Sequence, residues 1–187
     1  MWNTEYEKHF EPWSLLSEKQ REEFFVGDDY LPLPASHADH IRVLQGAKAR
    51  EFIKRALIGV PGYSSSGTSR FSSEASVLLS EVWNDPKRIQ QVRDWLHHRG
   101  LSYSNPVYLL YDDVVVATDW KIVVKYWDAL AWSVGIEMLA LDTSKSWLCC
   151  FHHEDVITFS SYERVPNPSI ELTSNGLRPP AVAHVKR

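Results

Sequence analysis

The sequence predicts an α+β domain in which N-terminal helices pack with a C-terminal, mostly antiparallel sheet built from a hairpin, a helix and a three-strand meander. Three observations carry that expectation. Val107-Tyr-Leu-Leu-Tyr111 and Val114-Val-Val-Ala-Thr118 are runs of strand formers separated only by Asp112-Asp113, which reads as a tight hairpin. Trp120, Val123, Val124, Trp127 and Ala131 recur at i, i+3, i+4, i+7 and i+11, the spacing of one helical face. Beyond Gly135 the period changes to two, the alternation of half-buried strands.

In chain order, Ser17-Glu-Lys-Gln20 is a capping-box pattern that opens a short polar helix ending near Phe24-Phe25, and Gly27-Asp-Asp29 breaks it. Tyr30-Leu-Pro-Leu-Pro34 is extended, because residues before proline avoid helical angles. Ser36-His-Ala-Asp39 repeats the cap signal and predicts a brief helix with Ile41 and Leu44 on one side, ended by Gly46. A longer helix follows over 47–58, with Phe52, Ile53, Ala56 and Leu57 on its apolar face and Gly59 and Pro61 as its stop.

Residues 62–73 are rich in serine and glycine but lack the Gly-Lys-Ser/Thr ending of a phosphate loop, so they read as a mobile surface loop. Glu74 to Trp83 is expected to be helical, with Val77, Leu78 and Val82 inward. Asp85-Pro86 supplies an N-cap and a first-turn proline for a helix running through Ile89, Val92, Trp95 and Leu96 to Gly100.

Neither run of the hairpin alternates cleanly, which is the pattern of strands covered on both faces. In the helix that follows, Thr118 caps the first turn, Asp119 suits its positive dipole end, and Lys121, Lys125 and Asp128 lie to one side. In the meander, Ile136, Met138 and Ala140 oppose Glu137, Leu139 and Leu141. After the Asp142–Lys145 turn, Trp147, Cys149 and Phe151 oppose Leu148, Cys150 and His152; His153-Glu-Asp155 then turns the chain into Val156–Phe159. Joined to the hairpin, these make five strands, with the Trp120 helix packed on one face to bury its indoles. Residues 1–162 therefore read as one α+β domain, and 163–187, with four prolines, as an extended or partly disordered tail.

Composition excludes several function classes. A formal charge of −4 argues against nucleic-acid binding through phosphate neutralisation; it suits a basic protein partner, although so small a charge is more often that of an ordinary solvated surface. No signal-like segment follows Met1 and no apolar run is long enough to span a bilayer, so no membrane role is expected and a cytoplasmic location is. The adjacent Cys149 and Cys150 point to opposite faces of a strand, a geometry hostile to a disulfide and consistent with a reducing compartment.

Eight histidines are the first place to look for chemistry. His37 and His40 could share a metal at helical i, i+3 spacing, but no third ligand is apparent, and both read as surface residues. His152, His153, Glu154 and Asp155 form a polar cluster where a strand turns; with no nucleophile or oxyanion site beside them, they read as a solvated hairpin turn or, if they function, as partner-binding residues. No serine sits in a Gly-x-Ser-x-Gly elbow, and neither cysteine has neighbours that lower a thiol pKa, so no catalytic residue, metal site or cofactor is assigned.

Leu31-Pro-Leu-Pro34, Ser80-Glu-Val-Trp83, Val107–Tyr111, Thr118-Asp-Trp120 and Tyr126-Trp127, in that order, resemble the landmarks of an uncharacterised bacterial domain-of-unknown-function family, across most of 30–162. That family brings no catalytic residues with it. The overall pattern is more loosely similar to small bacterial immunity proteins, acidic α+β domains that neutralise a toxin by binding it. The function expected from all this is a non-enzymatic protein-binding domain of immunity or antitoxin type. The alternatives are a metal-binding module or metal-dependent hydrolase that uses histidines, and a small-ligand-binding or structural domain.

Overall fold

The computed structural model describes residues 3–22, 30–63, 70–79, 82, 85–132, 137–164, 170–173 and 176–178. The elements are β1 (Glu11–Pro12), α1 (Glu18–Glu22), α2 (Ala35–Ala38), β2 (Arg42–Gln45), α3 (Gly46–Leu57), β3 (Ser73–Leu78) and α4 (Pro86–His97), then β4 (Pro106–Leu110), β5 (Val114–Asp119), α5 (Trp120–Trp132), β6 (Met138–Leu141), β7 (Trp147–His152), β8 (Val156–Ser161), β9 (Ile170–Thr173) and β10 (Gly176–Arg178). The strands form one sheet in the order β1-β2-β5-β4-β6-β7-β8-β3-β9-β10. Every pairing is antiparallel except β3 with β9.

The α+β architecture holds, with the hairpin, helix and meander in the expected order. Pro106 pairs with Asp119 and Leu110 with Val115 across the hairpin, and β6, β7 and β8 pair consecutively. The sheet has ten strands rather than the five expected: two segments that read as helix are strands, and β1, β9 and β10 add three more. Residues 42–45 pair with Val114–Ala117 of β5 rather than continuing α2. Val43 is β-branched, and an open edge of β5 offers the backbone of 42–45 a ladder that a four-residue helix cannot match. Residues 73–78 likewise pair with β8: Ala75 and Val77 are fully buried, while Leu78, expected to point inward, is 39% exposed. Gly46 does not end a helix; at φ +65 it turns the chain from β2 into α3, a backbone angle that favours glycine.

The sheet is covered on both sides, as the unbroken apolar runs of β4 and β5 require. One face packs Val107, Leu109, Val116 and Met138 against α4 and α5, with Trp120 and Trp127 wholly buried between them. The other carries Tyr108, Leu110, Val115 and Leu139 under α3 and the N-terminal segment, where Tyr6 and Phe10 meet the Phe52 ring edge-on at 5.3 and 5.7 Å. Asp128, read from sequence as flanking, is also buried. Its carboxylate accepts from Arg93 Nη2 at 3.1 Å, and Arg93 Nε donates to the Lys125 carbonyl, which ties α4 to α5.

The cap signals at Ser17 and Asp85 held, whereas Ser36 lies inside α2 without capping it and Thr118 lies in β5 rather than capping α5. Ser17 and Gln20 exchange the two hydrogen bonds of a capping box, and the Asp85 side chain accepts from Lys87 N–H at 2.9 Å ahead of Pro86. The expected break at 27–29, the serine-rich stretch 64–69, the Ser80–Glu81 and Trp83 landmark residues, Ile136 and tail residues 165–169, 174–175 and 179–187 lie outside the described residues. Within that tail segment, β9 and β10 pair with each other and β9 joins the sheet beside β3. No helix among the described residues is long and apolar enough to cross a membrane.

Candidate metal centre

The polar cluster with the most chemistry is assembled by strand geometry. On β7, Cys150 and His152 are two residues apart and so project from the same face. Met138 pairs with Phe151, and one step beyond that pair the register sets Glu137 opposite His152. The three side chains meet at the end of the sheet: Cys150 Sγ lies 3.6 Å from His152 Nδ1, and His152 Nδ1 lies 3.3 Å from Glu137 Oε1. Their three ligand atoms all fall within 4.8 Å of one another.

Burial is graded across the cluster. Cys150 is 3% exposed on the α3 side of the sheet, while the side chains of His152 and Glu137 are 31% and 46% exposed. The Tyr63 hydroxyl, from the turn after α3, hydrogen-bonds to Cys150. Burial, reinforced by the Glu137 carboxylate, pushes the Cys150 thiol up to about 12, with the Tyr63 hydrogen bond opposing the shift. Burial first, and then the Cys150 sulfur, pushes the Tyr63 phenol up to about 12. Cys150 is therefore a protonated thiol at neutral pH, unsuited to act as a nucleophile. A divalent cation changes that balance: one thiolate, one carboxylate and one neutral imidazole around a charge of two make a site with no net charge.

Two of the three separations fit such an ion, and the third is within 4.8 Å. Tetrahedral zinc with bonds of about 2.3 Å to sulfur and about 2.0–2.2 Å to nitrogen or oxygen holds a sulfur and a nitrogen roughly 3.6 Å apart, and a nitrogen and an oxygen roughly 3.4 Å apart. The separations here match these two edges to within about 0.1 Å.

The sequence-predicted site residues separate. His152 belongs to the cluster, with its Nε2 3.4 Å from Thr158 Oγ1. His153 swings back from the turn so that its Nδ1 is 3.6 Å from the same Glu137 oxygen. Glu154 and Asp155 are exposed in the turn; Asp155 adopts φ +57, and its carbonyl accepts the Leu79 N–H at 2.7 Å, a structural role. His37 and His40 do not converge: His37 Nδ1 meets the Tyr126 hydroxyl at 2.7 Å, and His40 Nδ1 meets Asp119 Oδ2 at 2.6 Å. Glu137, Cys150 and Tyr63 were not anticipated as site residues. The period-two reading placed Cys150 with His152 on one face, but only the β6–β7 register brings Glu137 to them.

No family model matches the chain, and no curated protein or solved structure matches it significantly.

Proposed function

We propose that the protein is a metal-binding module that holds a zinc-class divalent ion through Cys150, His152 and Glu137. The observation that carries this reading is the agreement of the Cys150–His152 and His152–Glu137 separations with the edges of a zinc tetrahedron. A thiolate with an imidazole favours zinc and its neighbours over calcium or magnesium, which take oxygen ligands. Three protein ligands leave a fourth position for water or for another side chain, and His153 brings a second imidazole to the same carboxylate.

Metal analysis of protein purified without an affinity tag tests this, followed by Co²⁺ titration. The expected result is one bound ion per chain, a thiolate-to-cobalt charge-transfer band that Cys150→Ser abolishes, and a fall in melting temperature on chelation. Substoichiometric metal, with melting unchanged by chelator, would remove the proposal.

A non-enzymatic protein-binding role of immunity or antitoxin type is the second reading. It is supported by Glu154 and Asp155, exposed at a hairpin tip beyond the exposed Glu137 and suited to a basic partner. Co-purification with the product of a neighbouring gene tests it; failure to bind or protect against any such product sinks it.

A further inference from the structure

On the side of the sheet away from the metal cluster, a groove of about 340 Å³ opens between α4 and α5. Lys121 and Lys125 stand one turn apart on its α5 wall, and among the described residues neither is ion-paired with a carboxylate. Arg93 lines the groove too, but its charge is matched by Asp128. The carboxylate of the lining, Asp94, accepts from Gln90 Nε2 at 2.9 Å and keeps its charge, which offsets one of the two lysines. The lysines thus leave a local excess of positive charge. Its reach shows at His37, whose pKa is lowered by burial first and then by Lys125 and Lys121.

The rest of the lining is apolar and aromatic. Tyr103 is 46% exposed, and its ring lies 5.0 Å from the His97 ring at an interplanar angle of 32°, which makes a partly open ring platform. Leu31 and Val124 add aliphatic surface. A concave site of a few hundred cubic ångströms with apolar surface and a few polar or charged groups is the form of small-molecule pockets. Apolar walls alone would take any hydrophobe. The paired ammonium groups select an anion, and the aromatic platform selects a flat ring.

We propose that this groove is a binding site for a small planar aromatic anion, with its ring on Tyr103 and its carboxylate or phosphate between Lys121 and Lys125. The site is independent of the metal centre.

Calorimetric titration of the whole protein with phenyl phosphate, benzoate, inorganic phosphate and benzyl alcohol tests it. Phenyl phosphate and benzoate are expected to bind at least tenfold more tightly than inorganic phosphate or benzyl alcohol. Lys121→Glu with Lys125→Glu is expected to weaken both aromatic anions at least tenfold, and Tyr103→Ala to weaken them several-fold. Thermal melts confirm that these surface variants remain folded. No binding by either aromatic anion overturns the proposal. So does inorganic phosphate binding as tightly as phenyl phosphate, or aromatic-anion affinity that survives the double lysine change in folded protein.

Discussion

Glu137 Oε1 and His152 Nδ1 face each other across β6 and β7 at 3.3 Å, and the Cys150 sulfur lies 3.6 Å from the same nitrogen. Because the thiol is held up to about 12, any metal that uses it must displace a proton. Apparent zinc affinity is therefore expected to rise about tenfold per pH unit from pH 7 to pH 9, and competition titrations with a chromophoric chelator at several pH values measure it. Cys150→Ala should flatten the slope as well as weaken binding.

The same thiol makes an opposite prediction for metal-free protein. Its folded pKa lies above its ordinary value of 9.0, so its contribution to stability is complete below pH 9 and is lost as pH rises toward 12. Denaturant melts of apo protein should show stability falling above pH 9, by up to about 1.4 kcal/mol per pH unit from this group alone. Cys150→Ala should lose less over the same range.

His153 and Glu154 sit exposed in the β7–β8 turn and bury nothing. Their replacement by alanine is expected to leave melting within about 0.5 kcal/mol of the parent, as for surface positions generally. A larger loss on thermal melting would mean that the turn supports the fold. Any effect should appear instead in partner binding or, for His153, in the affinity of the proposed metal site.

The parts of this molecule legible in its sequence are those in which a short-range pattern and the tertiary context agree. The capping box at Ser17, the Asp85-Pro86 helix start and the face shared by Cys150 and His152 are of that kind. Ser73–Leu78 is not, because its serines and single glutamate between small apolar residues carry two periods at once: Val77, Leu78 and Val82 fit a helix, and Ala75 and Val77 fit a strand. Pairing with β8 decides between them, and nothing local encodes that partner. The Glu137–Cys150–His152 cluster was hidden for the same reason. Glu137 lies 13 residues before Cys150, and only the β6–β7 register makes them neighbours.

Between α4 and α5, burial outweighs the attraction of Arg93 and raises the Asp128 pKa above the ordinary carboxylate value. Arg93→Ala would leave that carboxylate buried without its guanidinium, a loss expected to be about 3–5 kcal/mol at pH 7. Removing Arg93 raises the Asp128 pKa further. A group with a raised folded pKa has its full stability contribution when protonated, so the deficit should shrink as pH falls toward 4. Pairing the change with Asp128→Asn should recover part of it at neutral pH. Urea melts of the single and double variants at pH 7 and pH 4.5 measure both effects; a deficit that grows on acidification would contradict the argument.

Trp127 lies on the second half of α5, just past Tyr126, whose φ of −118 and ψ of 21 kink the helix. The kink is held from outside: the Tyr126 hydroxyl donates to the Pro32 carbonyl at 3.2 Å and meets His37 Nδ1 at 2.7 Å. Trp127 itself has no exposed surface and belongs to the cluster that includes Val92 and Trp95 of α4 and the inner face of the sheet. Truncation to alanine would leave a cavity the size of an indole between three elements that cannot all move in. The expected loss is about 3–5 kcal/mol, much of the roughly 5–15 kcal/mol that stabilises a domain. Thermal and urea melts of Trp127→Ala should therefore show a poorly folded protein, and Trp120→Ala, equally buried and edge-on to Trp147 at 5.6 Å, should behave alike. A Trp127→Ala protein that melts like the parent yet no longer binds a partner would make this helix face an interaction surface and overturn its assignment to the core.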